Sequence, residues 1–460
     1  MKKIIGLALL SLVFLVLAAC SGSEPPTVET EPEAEVLLKT AVKESFVAGE
    51  LLVKFKEPSK VKSVLSASGI KLSLKEDVYE ASGMWLFKFD ARLVKNDLSA
   101  MQDLARLVSK LPELSYAQPN YIYYSQAAFN PNDPLFPEQW NMEAIEMPLA
   151  WGNYTRGSRV NVAVIDTGKT DHNDLIWSTG IDMIRDAGNA NDFNGRDTDP
   201  TDTICPFTLS SNGHGTHVAG IIAAQTNNRQ HIAGINESVR LIPVRVLGSC
   251  FGTGTTADVL AGMRWAAGDP IRGLPRNTNP AKILNLSLGL NLGRGNSCEA
   301  DDPAMRDTIN ALADRDIITV VAAGNEGIDA ATTTPASCTR AITVGSFNKN
   351  GDLSSFSNFG SVVDIYGPGG DNDAKIKSTF PGFFGPTTAD LMGTSMAAPH
   401  VTGVISLMLS FDPTYNDPDA IAFLLRFHSA IHTPMPSGAC PTSCGGGKLN
   451  AAALLHELSF

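Results

Sequence analysis

Five short apolar runs, each about as long as one strand, constrain this chain more than anything else in it. They occupy residues 160–165, 240–247, 282–288, 317–322 and 341–345, and between them residues 217–225, 256–267 and 303–315 carry helical spacing. Runs that stay apolar without alternating are strands buried on both faces. Strand and helix in alternation build a parallel sheet covered by helices on both sides. The expected fold class is therefore α/β, with reactive groups at the carboxyl ends of the strands.

Polar residues stand at those ends. Residues 161–168, N-V-A-V-I-D-T-G, are β-branched and apolar up to Asp166 and break at Gly168. Asn325 follows the run I-I-T-V-V-A-A-G. Residues 212–222, N-G-H-G-T-H-V-A-G-I-I, place His214 between two glycines ahead of a helical pattern, and residues 391–400, L-M-G-T-S-M-A-A-P-H, allow a sharp turn that exposes Ser395 at a helix start. A helix N-terminus favours negative charge, as a tetrahedral acyl intermediate carries. Pro399 fits that helix only near its first turn, because its ring excludes an interior hydrogen bond. A serine needs a base, and the base needs an orienting group, before it is a nucleophile at neutral pH. His217, three residues after His214, offers a histidine pair for a metal, but H-E-x-x-H is absent, and it reads as a packed structural histidine. An α/β-hydrolase is the other serine-based option, although its elbow wants G-x-S-x-G, and Ala397 replaces the second glycine.

D-T-G, H-G-T-H-V-A-G, A-A-G-N and G-T-S-M-A-A-P-H, in that order, resemble the subtilisin-like serine proteases over about residues 130–455. The resemblance implies a subtilisin-like parallel sheet and a serine endopeptidase acting on proteins and peptides. In it Asp166 orients, His214 is the general base, Asn325 donates to the oxyanion and Ser395 attacks. It also implies that Gly252, Thr253 and Gly254 on one side, and Ser287, Leu288 and Gly289 on the other, pair with the substrate main chain. No cofactor enters the chemistry. Structural calcium is expected, either at Asp174 in H-N-D-L or in the acidic stretch 182–202, whose oxygens suit that ion. Glu326, beside Asn325, reads as a solvated carboxylate or as a group favouring basic side chains at the pocket rim.

The amino-terminal part reads as export machinery. Lys2 and Lys3, an apolar core over 4–17 and Ala18-Ala19 form a signal, and L-A-A-C resembles the bacterial lipoprotein signal, which implies lipid on Cys20. Each buried methylene of that lipid adds about 0.8 kcal/mol of membrane affinity. The expected organisation is signal 1–19, flexible acidic tether 20–45, propeptide 46–124 and catalytic domain 125–460. In the propeptide, strands over 50–55 and 84–89, a helix over 97–111 and an extended tail over 115–124 make a small α+β unit. Its place resembles the family's ferredoxin-like propeptide, an intramolecular inhibitor cut off between about 121 and 130.

The net charge of −12 argues against a nucleic-acid partner. Seven cysteines leave six once Cys20 is lipidated, enough for three disulfides in an oxidising compartment, with fifteen possible pairings. Relatives suggest Cys205 with Cys250, Cys298 with Cys338, and Cys440 with Cys444. The whole reads as a monomeric, self-processing zymogen, lipidated in a bacterial envelope and released as a soluble protease.

Overall fold

The computed structural model describes residues 46–57, 72–79, 83–94, 97–121, 128–153, 157–208, 211–382 and 385–457. The signal, the tether, Cys20 and most of the expected cut region lie outside them. The chain divides into two compact units, with the division after Tyr123.

In the first unit, β1 (Phe46–Phe55), β2 (Ser73–Tyr79), β3 (Met84–Lys88) and β4 (Leu114–Tyr121) form an antiparallel sheet ordered β2-β3-β1-β4. Helix α1 (Leu98–Ser109) starts at Asp97, whose carboxylate accepts from Ala100 N–H at 3.2 Å, an N-cap that satisfies an otherwise orphan donor. Its inward stripe of Met101, Ala105 and Val108 packs with Leu51, Val53, Phe55 and Phe87. Strand β2 was not expected, since S-L-K-E-D-V-Y is mostly charged and polar.

In the second unit, seven strands form one sheet: β5 (Asn161–Asp166), β6 (Ile181–Asp182), β7 (Arg240–Arg245), β8 (Ile283–Leu286), β10 (Ile318–Ala322), β12 (Ile342–Phe347) and β13 (Ile365–Pro368), ordered β13-β12-β10-β8-β5-β7-β6. Every pairing in it is parallel. Two small antiparallel pairs lie apart: β9 (Leu290–Asn291) with β11 (Thr333–Thr334), and β14 (Ile376–Gly382) with β15 (Gly385–Leu391). Consecutive residues of a strand face opposite ways, so Val162 and Val164 enter one core while Ala163 and Ile165 enter the other. Helices α2 (His214–Ala223) and α5 (Thr394–Phe411) cover the first face, and α3 (Thr256–Ala266) and α4 (Pro303–Ala313) the second.

From β5 the chain runs to the edge strand β6 and returns to β7, which lies between β5 and β6, and it then builds outward through β8, β10, β12 and β13 on the other side. The switch therefore falls between β5 and β8, where a doubly wound sheet opens a crevice at its carboxyl edge. Three disulfides join Cys205 to Cys250, Cys298 to Cys338 and Cys440 to Cys444, the pairs the relatives suggested.

Candidate active site

Asp166 ends β5 with its side chain fully buried. Its Oδ1 accepts from His214 Nδ1–H at 2.8 Å and from Thr167 N–H at 2.7 Å. His214 is the first residue of α2, three residues earlier than its apolar pattern predicts, because Gly213 caps the helix with φ +73°, a conformation costly for other residues. Gly215 is required as well, since a Cβ there would stand 2.4 Å from Gly168 O and 3.2 Å from Asp166 Cβ. The two glycines of G-H-G are thus what let the strand end and the helix start meet. Burial pushes the His214 imidazole down, but the charge and hydrogen bond of Asp166, with the more distant Asp202, outweigh it, and the net shift is upward.

Asp202 was read only as part of an acidic stretch. It is buried, and its Oδ2 accepts from Gly213 N–H at 2.7 Å and Thr167 Oγ1–H at 3.2 Å, while Thr167 Oγ1 accepts from Gly215 N–H at 3.1 Å. This one carboxylate ties the residue after Asp166 to the residue before His214. Its signal was local: an acid near H-G-T-H, hidden among five other aspartates.

Ser395 is the second residue of α5 and half-buried. Its Oγ–H donates to Ser287 O at 3.1 Å, and Ser287 Oγ–H donates to Ser395 O at 2.8 Å. Pro399 is the sixth residue of this helix, not a first-turn residue as expected. Lacking an N–H, it leaves the carbonyl four residues back, that of Ser395, without its helical donor, and the Ser287 hydroxyl fills that place. Ser287 therefore works through its side chain as well as lining the cleft.

The Oδ1 of Asn325 accepts from Thr394 N–H at 2.8 Å and Thr394 Oγ1–H at 2.9 Å, which assigns Nδ2 to the other end of the amide. Asn325 and Ser395 line one pocket of about 80 Å³ together with Glu326, Gly324 and the stretch 288–291. His214, Gly252, Thr253, Gly254, Ser287, Leu288 and Gly289 line a cleft of about 500 Å³, which shares Leu288, Gly289, Leu290 and Thr334 with that pocket. His214, Asn325, Ser395 and the six residues expected to hold a peptide therefore face one continuous groove, with Asp166 buried behind His214. Gly254 is glycine for a reason other than substrate approach: a Cβ there would stand 2.3 Å from Val246 O. Glu326 Oε2 accepts from Asn358 Nδ2 at 2.7 Å, so this carboxylate is held at the pocket wall.

His217 is fully buried and its Nε2 lies 3.1 Å from both Ile376 O and Ala389 O, so the ring is a neutral donor to the β14–β15 pair. Burial pushes it down to about 3. The acidic stretch departs from a calcium cluster. Asp182 and Asp192 pair with the buried Arg245, Asp186 caps a short helix through Asn189 N–H, and Asp199 accepts from Thr201. Among the described residues no group of three or more Asp, Glu, His or Cys could hold a metal. Asp174 differs, being buried and, among the described residues, in no ion pair; Oδ1 accepts from Asn228 Nδ2 at 2.7 Å and Oδ2 from Ile232 N–H at 3.2 Å. Burial, with a smaller contribution from the charge of Asp133, raises it to about 6. Asp133, also buried, accepts from Asn227 N–H and Asn228 N–H at 2.7 and 3.0 Å. Two carboxylates thus converge on the loop 227–232, and Asp133 was not among the expected residues.

The subtilase family model matches residues 157–445, and the fervidolysin N-terminal prodomain model matches residues 32–120. An extracellular protease of Xanthomonas campestris pv. campestris is 37% identical over 85% of this chain and 67% of its own. An extracellular basic protease of Dichelobacter nodosus is 36% identical over 75% and 61%. The chain thus spans about two thirds of these relatives' length, whereas it covers 96% of an extracellular serine proteinase of Thermus sp. (strain Rt41A), at 32% identity over 94% of this chain. Among solved structures, a protease of Pseudoalteromonas arctica superposes with a TM-score of 0.63 at 36% identity, covering 71% of this chain and 99% of that one. The chain belongs to the subtilase family of serine-type endopeptidases, with an N-terminal prodomain of the fervidolysin type.

Proposed function

We propose that this protease hydrolyses peptide bonds by acyl transfer through Ser395, His214, Asp166 and Asn325. The observation that carries the assignment is the Asp166–His214 hydrogen bond at 2.8 Å, opening on a groove that Ser395 and Asn325 also line. Rotation of the Ser395 hydroxyl away from Ser287 O frees it to attack a carbonyl carbon while His214 Nε2 takes its proton. Asp166 holds the proton on Nδ1 and stabilises the imidazolium. Nδ2 of Asn325 and the Ser395 N–H at the helix start receive the oxyanion. His214 then protonates the leaving amine, and water repeats the sequence to release the acyl group. Because the base is displaced upward, the acidic limb of activity falls above the ordinary histidine value of about 6.5.

A fluorophosphonate probe should label the processed protein, and neither Ser395→Ala nor His214→Ala should take the label. An unlabelled wild-type enzyme that has already lost its prodomain would reject the assignment. Gly252–Gly254 and Ser287–Gly289 flank the groove as backbone-presenting walls, which supports broad sequence tolerance.

The first unit serves as the intramolecular inhibitor. Its strand order and directions support a ferredoxin-like reading. Cys20 is lipidated, so cutting after the prodomain separates the protease from its anchor. Fractionated cells should then hold the precursor in membranes and the mature fragment in the medium; a mature fragment retained in membranes would contradict this. Asp174 and Asp133, with loop 227–232, would hold a structural calcium ion, since buried carboxylates without cationic partners suit a hard cation.

A further inference from the structure

The carboxyl end of α3 borders a second cavity, of about 520 Å³, at the amino edge of the sheet. Lys282 and Arg315, which line it, lead into β8 and β10; Ser287 stands past the other end of β8, about 15 Å along the strand. The end of a helix ordinarily presents bare carbonyls and repels anions, but here they are covered. Ala266 O accepts from Asn277 Nδ2 at 2.9 Å, Ala267 O from Arg315 Nη2 at 2.6 Å and Gly268 O from Arg276 Nε at 2.6 Å. Trp265 Nε1–H donates to Pro275 O at 2.7 Å and Asn161 Nδ2 to Pro280 O at 3.0 Å, so the loop returning to β8 is fastened on both sides of Arg276 and Asn277. The two guanidiniums are therefore positioned before any ligand arrives, and little ordering entropy is lost on contact. They keep donors to spare, since among the described residues Nη1 and Nη2 of Arg276 and Nε of Arg315 make no hydrogen bond. Lys282 adds an exposed ammonium that is in no ion pair among the described residues, and Thr278 adds a hydroxyl. No carboxylate lines the cavity; Asp269, which accepts from Arg315 Nη1 at 2.9 Å, offsets one of its three cations. Two uncompensated positive charges thus share one cavity in a chain of net charge −12.

We infer that this cavity binds an organic phosphate monoester, with the phosphate on Arg276, Lys282 and Thr278 and the organic part against Ala267, Pro280 and Ile317. A dianion matches two uncompensated cations, and a guanidinium fork bonds two oxygens of such a group at once. A carboxylate, singly charged, would leave one cation without a partner. The volume is that of a small-molecule site rather than of a bare ion, and an apolar wall beside a few converging donors is the usual make-up of such a site. The site is separate from the peptide groove and does not rest on the catalytic assignment.

The test is calorimetric titration of the processed enzyme with phenyl phosphate at pH 8, where the probe is a dianion. The wild type should bind one molecule per chain with a Kd below about 1 mM. Lys282→Met keeps the aliphatic stem and breaks no side-chain contact of the described residues; it should weaken binding about 10-fold or more, the range of a hydrogen bond to a charged group. Lys282→Arg should keep binding. Both variants should melt with the wild type in the absence of the probe and hydrolyse a short peptide at wild-type kcat/KM. No saturable heat with phenyl phosphate, or a Kd that Lys282→Met leaves unchanged, would overturn the site. Benzoate binding as tightly as phenyl phosphate would refute the dianion, and inorganic phosphate binding as tightly would refute the organic part. Flotation with phosphatidylcholine vesicles, with and without phosphatidic acid, separates the sources of the phosphate. Capture by phosphatidic acid that Lys282→Met abolishes assigns it to a lipid headgroup, whereas binding of phenyl phosphate without capture assigns it to a soluble ester.

Discussion

Thr394 holds the Asn325 amide in one orientation, so Thr394→Val should weaken the proposed oxyanion site without touching any reacting group. The Asn325 oxygen accepts from both the N–H and the hydroxyl of Thr394; turning the amide over would set Nδ2 against two donors. Valine keeps the branched shape and deletes one of the two bonds. A neutral hydrogen bond contributes roughly 0.5–1.5 kcal/mol net, so kcat should fall about 2- to 12-fold with KM unchanged. Thr394 Oγ1 also accepts from Gly324 N–H at 3.2 Å in a fully buried position. The orphaned donor should cost about 1–3 kcal/mol of stability. Thr394→Ser should restore both.

The discriminating measurement is a double-mutant cycle. Asn325→Ala should lower kcat about 100- to 1000-fold, a figure that comes from a subtilisin of this same family rather than from the geometry here. In that background Thr394→Val has nothing left to aim, so its further effect on kcat should be under about twofold if the two side chains act as one unit. Kinetics on a peptide anilide, normalised to sites titrated with fluorophosphonate, separate loss of catalysis from loss of folded enzyme. Equal losses from Thr394→Val with and without the Asn325 side chain would refute the aiming role.

Three further outcomes follow from other contacts. Asp202→Asn removes a negative charge that helps raise the His214 imidazole, so the acidic limb of kcat/KM should move to lower pH; a limb that stays put would leave Asp202 merely structural. Asp174 has its folded value raised from 3.8 to about 6 by burial. Ionising it therefore costs stability as pH rises between those values, up to about 3 kcal/mol. In chelator at pH 8, Asp174→Asn should melt above the wild type, and saturating calcium should reverse that order; wild-type melting indifferent to calcium would dispose of the site. Gly215→Ala forces a methyl to within 2.4 Å of Gly168 O, an overpacking of about 1–3 kcal/mol, and should lower kcat more than it raises KM; an unchanged kcat would show that the strand end can yield.

What could be read in advance was whatever repeats or clusters along the chain. The runs at β5, β7, β8, β10 and β12 announced themselves because strands buried on both faces are continuously apolar. Strand β6 is two residues long and β13 contains glycine and proline, so neither carries a usable pattern, although both are needed to finish the sheet. Asp166, His214, Asn325 and Ser395, the residues proposed to act, stood out because each lies where a strand or helix stops or starts. The groups that hold them were not. Asp202 bonds to Gly213 across 11 residues, Ser287 to Ser395 across 108 and Asn325 to Thr394 across 69, and in each case the holding group is an ordinary aspartate, serine or threonine. Pro399 makes the point in one residue. Read locally, it had to sit in the first turn of its helix, because the lost hydrogen bond had no visible remedy. The remedy is the Ser287 hydroxyl, brought by β8, and the carbonyl it satisfies belongs to Ser395. The helix defect is thus also the handle by which the sheet grips Ser395. It follows that Ser287→Ala should loosen the serine backbone and lower kcat, whereas Pro399→Ala, which restores the N–H four residues on, should suppress part of that loss. If the two changes prove additive, Ser287 does not act through the carbonyl that Pro399 leaves open.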